Sequence, residues 1–166
     1  MKELLYASAF LASLPFVSCN TAEAQKKTTR PVTQNMEMKW LDLTAGGINA
    51  LIQVPTTVKI IDDPYDLIIG DGKNICIEIS QTTQSFTEIR SFVEKNDVRG
   101  FVKFVHQDNN GFVAEMNAFH RTEFDFSFYT TIGNENYLLK DPGKFHHPNI
   151  EIINAMYTYA KSIKAK

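Results

Sequence analysis

The sequence predicts an α+β domain: an α/β/α sandwich in which a largely antiparallel sheet carries helices on both faces. Three observations predict it. Three pairs of strand-like runs are joined across short Gly-containing turns, the signature of antiparallel hairpins. Two segments place apolar residues at helical spacing. Two runs are apolar on both sides of the strand, as in a sheet covered on both faces.

The first 35 of the 166 residues lie outside that domain. Residues 1–18 read as a bacterial export signal. Lys2 opens it, and Leu4 to Val17 is almost wholly apolar or small. That run is shorter than the roughly 20 residues that span a bilayer and suits a signal core of about 7–15 residues. Two processing sites compete. Phe16-Val17-Ser18-Cys19 resembles a bacterial lipobox, with Phe16 where leucine is usual; cleavage there leaves a lipidated Cys19. Ala22-Glu23-Ala24 is an A-x-A site that leaves Gln25 first. The lipobox is favoured because its cysteine follows the apolar run directly. Residues 19–35 form a polar linker in which Lys26 to Pro31 offers nothing to bury. In either mature form Cys76 is the single remaining cysteine, so no internal disulfide is expected.

Residues 36–166 form one domain. Met36, Met38 and Trp40 alternate with Glu37, Lys39 and Leu41 as in a strand, and Gly46-Gly47 ends that run. Ile48 to Val54 reads as a strand stopped by Pro55, and Val58 to Ile61 as the next. Tyr65–Ile69 and Asn74–Ser80 pair across Gly70-Asp71-Gly72-Lys73. Phe101–His106 and Phe112–Ala118 pair across Asp108-Asn109-Asn110-Gly111, and Glu123–Ile132 and Tyr137–Lys140 across Gly133-Asn134-Glu135. Along the long strand Phe124, Phe126, Phe128 and Ile132 face one way, and Asp125, Ser127, Tyr129 and Thr131 the other. Phe101–Val105 and Asp66–Ile69 are expected to be covered on both faces. Ser85-Phe86-Thr87-Glu88 is a capping box, and Phe86, Ile89, Phe92 and Val93 share the face of the helix that follows. The last helix starts near Pro148 and carries Ile150, Ile153, Met156, Tyr157, Ala160 and Ile163 as its stripe. Lys161, Lys164 and Lys166 suit its negative end.

Gly47-Ile48-Asn49-Ala50-Leu51-Ile52-Gln53-Val54-Pro55 is followed by a strand, a Gly hairpin, a capped helix, long antiparallel strands and a C-terminal helix. This order, from Trp40 to Ile163, resembles the PsbP-like fold, including small envelope lipoproteins of the DcrB type. The resemblance implies an α/β/α sandwich, an envelope setting and a binding or accessory role, with no shared catalytic set.

The formal charge of -2 gives no electrostatic footprint for nucleic acid. No P-loop, G-x-S-x-G, dinucleotide or zinc-protease motif occurs. His106, His120, His146 and His147 lack metal-ligand spacing and read as solvated strand-end and loop residues. Cys76, Glu78 and Ser80 share a strand face, and a nucleophilic Cys76 would need a base such as His106 or His120. Asp62-Asp63 and Glu123/Asp125 are carboxylate pairs of the kind that acid–base work requires, and of the kind that strand alternation produces routinely. Tyr129, Tyr137, Tyr157 and Tyr159 are candidates to line a groove.

The expected function is therefore a non-enzymatic binding or accessory module with no catalytic, cofactor or metal site. It would be lipid-anchored through Cys19 on the periplasmic side of the envelope, or soluble and exported after cleavage at Ala24. Its partner would be an envelope protein or a small ligand. The alternatives are an exported hydrolase using Cys76 or a carboxylate, and a structural subunit of an envelope complex. Mass spectrometry of the mature N-terminus is expected to find diacylglyceryl-modified Cys19; a terminus at Gln25 would show ordinary export instead.

Overall fold

Ten strands and two helices form the described residues, 36–143, 147 and 149–166, of the computed structural model. The expected export signal, lipobox and linker, His146 and the expected helix start at Pro148 lie outside them. The strands fall into two sheets. The smaller has the order β1 (Met38–Asp42), β2 (Ala50–Pro55), β10 (Lys164–Ala165), with β2 in the centre. The larger takes β3 (Lys59–Ile61), β4 (Leu67–Gly70), β5 (Cys76–Gln81), β6 (Phe101–Gln107), β7 (Gly111–Ala118), β8 (Arg121–Ile132) and β9 (Glu135–Lys140). Its spatial order is β3-β4-β5-β9-β8-β7-β6, and every pair is antiparallel.

Alternation in the strands decides which side chains meet. Ala50, Ile52 and Val54 of β2 are fully buried while Leu51 and Gln53 are not, so the small sheet turns one face inward. That face meets Ile69, Ile77, Ile79, Val113, Phe126 and Leu139 of the large sheet in the main core. Helix α2 (Ile150–Lys161) adds Ile153, Met156, Tyr157 and Ala160 to the same core. The other face of the large sheet carries α1 (Phe86–Glu94). There Ile89 packs on Phe112, Ala114, Met116 and Leu138, with Phe86, Val93, Phe101 and Phe104 around them.

The expected α/β/α sandwich is not the architecture. The described residues are mostly β, with 46% strand against 19% helix. Residues 38–55 were expected as strands of a single sheet, but they pair with each other and with the C-terminal tail instead. One face is thus covered by a second sheet together with α2. The other carries only the nine-residue α1, packed mainly toward β6 and β7. The tail was expected to continue α2. Ser162 ends the helix: its Oγ donates to the Tyr159 carbonyl at 2.6 Å and accepts from the Gln53 amide at 2.8 Å. Lys164 then lies in β10 with its ammonium 3.8 Å from the Trp40 ring centroid, and Lys166 pairs with Asp42 at 2.6 Å.

Two local expectations also change. β6 is an edge strand, with Val102 49% exposed, rather than one covered on both faces. A register shift between Phe101 and Lys103 turns Phe101 and Phe104, an odd number of residues apart, toward one another with ring centroids at 4.8 Å. Phe92 is 70% exposed; at about 100° per residue it falls roughly 60° outside the stripe of Phe86, Ile89 and Val93. The β7–β8 turn consists of Phe119 and His120, both at positive φ (51° and 65°), where Asn-Gly would be the usual signal. The capping box forms as expected: Glu88 N donates to Ser85 Oγ, and Ser85 N donates to the Glu88 carboxylate at 2.7 Å.

The seat of α2 requires a glycine. A Cβ on Gly111 would lie 2.7 Å from Cε2 and from the hydroxyl of Tyr157, and 2.7 Å from the Ser127 carbonyl oxygen. Gly111→Ala is therefore expected to cost about 1–3 kcal/mol through overpacking, read as a lowered urea midpoint. Adding Tyr157→Phe should not restore it, because the ring carbon and the carbonyl remain. An unchanged midpoint would show that α2 is free to shift.

Candidate functional site

Cys76 lies on β5 and is buried, with its amide donating to Met156 Sδ at 3.3 Å. His106 lies on β6, four strand steps away across β9, β8 and β7. At about 4.8 Å per step that is roughly 19 Å. His120 occupies the β7–β8 turn, seven residues beyond Ser127, which is level with Glu78 through Lys140. Neither imidazole is placed beside the thiol. Asp63 does turn-building work: its Oδ1 accepts from the amides of Tyr65 and Asp66.

Glu123 and Asp125 do share a face, and a residue that sequence spacing could not connect to them joins them there. Arg99 follows α1 in a loop fixed by Asn96, whose Oδ1 accepts from the amides of Val98 and Arg99. Its guanidinium forks across both carboxylates: Nη2 lies 2.9 Å from Glu123 Oε2 and 2.9 Å from Asp125 Oδ1, and Nη1 bonds Asp125 Oδ2. His147 lies alongside, its carbonyl accepting from Phe124 N at 3.1 Å and its Nε2 3.8 Å from Asp141 Oδ2. It is buried, contrary to the expectation of a solvated loop histidine. Burial pushes Asp125 upward against the pull of Arg99. Burial pushes Asp141 up to about 7, opposed by the Gly143 amide and helped by the negative charge of Asp125. Bidentate clamping makes this group a structural ion network rather than an acid–base pair. Among the described residues, no group of three or more His, Cys, Asp or Glu could hold a metal ion.

A groove of about 510 Å³ lies elsewhere, between α2, the β4–β5 turn and the start of β1. The β4–β5 turn is built by Asp71, whose Oδ1 accepts from the amides of Lys73, Asn74 and Ile75 at 2.8–2.9 Å. Burial works against ionisation of Asp71, but the Ile75, Lys73 and Asn74 amides outweigh it and hold the carboxyl below its ordinary range. The inward face of α2 goes to the core, which leaves Ile152 and Ala155 on the helix flank, facing Ile75. Met38, on the outward row of β1, and Met36, just before that strand, add an adaptable apolar edge. Asn74, Glu151, Asn154, Thr158 and Tyr159 provide polar atoms around this surface. Burial raises the Tyr159 pKa, and so does the charge of Asp71, whose field therefore reaches α2. An apolar bed with a few polar groups, in this size range, is the ordinary form of a small-molecule site.

Of the four candidate tyrosines, only Tyr159 lines this groove. Tyr129 packs near α1, and the Tyr137 hydroxyl donates to Glu135 at 2.7 Å. Tyr157 is buried against Gly111 and stacks edge-on to His106 at 5.5 Å. No helix among the described residues is long and apolar enough to cross a membrane. No family model matches the chain, and neither does any characterised protein or solved structure.

The ion network carries a pH dependence. Folded Asp141 holds its proton up to about pH 7, while its ordinary value is 3.8. A raised folded pKa gives stability that is fully present below the unfolded value and is lost as pH rises through the folded one. Relative to the parent, Asp141→Asn should therefore gain thermal midpoint progressively between about pH 4 and 7. A difference between the two proteins that stays constant across calorimetric scans in that window would rule out this titration.

Proposed function

We propose that the domain is a non-enzymatic binding module of the cell envelope whose ligand lays its apolar part in the groove between α2, the β4–β5 turn and β1. The groove carries this reading: its volume suits a small molecule, and its bed of Ile75, Ile152, Ala155, Met36 and Met38 suits an apolar one. The sequence supports the setting, through the Leu4–Val17 run and the lipobox-like Val17-Ser18-Cys19. The competing hydrolase reading loses support from the burial of Cys76, its separation from His106 and the clamping of Glu123 and Asp125 by Arg99.

The test is a titration with the neutral fluorophore N-phenyl-1-naphthylamine, whose emission rises in an apolar site. The mature protein should give a saturable rise. Ala155→Trp, which fills the bed from α2, should weaken binding at least about tenfold while the far-ultraviolet circular dichroism keeps its form. A tenfold loss corresponds to about 1.4 kcal/mol. Absence of saturable binding, or equal binding by the filled variant, would overturn the reading.

A further inference from the structure

The charge of the groove narrows the ligand. Among the described residues, its lining contains two carboxylates, Asp71 and Glu151, and no Lys, Arg or His. They stand on separate elements, Asp71 on the β4–β5 turn and Glu151 in the first turn of α2. The three backbone amides bound to Asp71 all fall on Oδ1, so the turn does not consume its second oxygen. Those amides also keep the group ionised. Neither carboxylate is clamped as Glu123 and Asp125 are, since no ion pair engages Asp71 or Glu151 among the described residues. The Tyr159 ring adds a third element suited to a cation, because the face of an aromatic ring attracts positive charge. The remaining polar groups, Asn74, Asn154 and Thr158, are neutral donors and acceptors.

We infer that the groove selects a cationic amphiphile, an organic ammonium group carried on an alkyl or aryl body. This rests on the reading of the groove as a ligand site. The apolar body lies on Ile75, Ile152 and Ala155, and Met36 and Met38 adapt to its shape. The ammonium faces Asp71 and Glu151. An anionic head on the same body meets two carboxylates with no compensating cation among the described lining residues, so the charge rejects it.

The test displaces N-phenyl-1-naphthylamine from the mature protein with decyltrimethylammonium or with decanesulfonate, both below their micellar concentrations and at low salt. The ammonium should displace the probe at a concentration about tenfold lower or better, and 0.5 M sodium chloride should narrow the gap, roughly as expected for partly exposed charges. Glu151→Gln, a change on the helix surface, should narrow it several-fold. Asp71→Asn keeps an oxygen for the three amides and should narrow it too, whereas Glu94→Gln on α1 should not. Equal potency of the two heads, a preference for the sulfonate, or a full gap retained by both groove variants would overturn the charge assignment while leaving the groove as a site. Failure of the parent to bind the neutral probe would instead overturn the site itself, and this inference with it.

Discussion

Tyr157 lies across Gly111, and the position of α2 follows from that contact. With no side chain on Gly111, the helix can come down until the ring touches the β7 backbone next to the Ser127 carbonyl of β8. Ile153, Met156 and Ala160 then fall between the two sheets and are fully buried. At 3.6 residues per turn the flank 151, 152, 155 and 159 points away from the centre of that face, and of it only the half-buried Ile152 and Tyr159 pack against the core. It is left beside the β4–β5 turn, and the space between them is the groove. The groove is therefore a geometric remainder of how one helix is seated. A larger residue under Tyr157 would change its shape as well as the stability of the core.

The carboxylates of the domain have two different fates. Glu123 and Asp125 are neutralised by a guanidinium that reaches both, and Asp141 answers burial by holding its proton to near neutral pH. These charges are tied into the fold. Asp71 is held by the amides of its own turn, which keep its carboxyl below the ordinary range, and both Asp71 and Glu151 stand on a surface next to apolar side chains. The first arrangement stabilises and orients a loop; the second leaves attraction available for something outside the chain.

Features set by neighbouring residues were legible in the sequence. Gly-containing turns marked three hairpins, Ser85 and Glu88 marked the start of α1, and the spacing of Ile153, Met156 and Ala160 marked the buried face of α2. Features set by distant pairing were not. Strand propensity in residues 38–55 cannot tell which sheet they join, and β2 finds β10 more than a hundred residues later. That ambiguity produced the wrong sandwich. Phe119 and His120 adopt a turn conformation that their side chains do not advertise, because β7 and β8 on either side impose it. Arg99 meets Glu123 and Asp125 from 24 and 26 residues away. Of the groove's lining, Tyr159 alone stands among the groove candidates of the sequence, since a concavity depends on how elements sit together.

The closing of the small sheet has a kinetic and optical consequence. Lys164 pairs with Leu51 and also covers Trp40, so the first and last strands meet on β2. Contacts of such long sequence separation carry a large loop-closure entropy and belong among the late events of folding. Trp40 is the only tryptophan in the chain. The arrival of an ammonium over its indole thus places the one indole chromophore at the point where the two ends of the domain come together, while Tyr129, Tyr137, Tyr157 and Tyr159 report on the large sheet and α2. Refolding followed at the two chromophores would separate the assembly of the large sheet from the final docking of the tail.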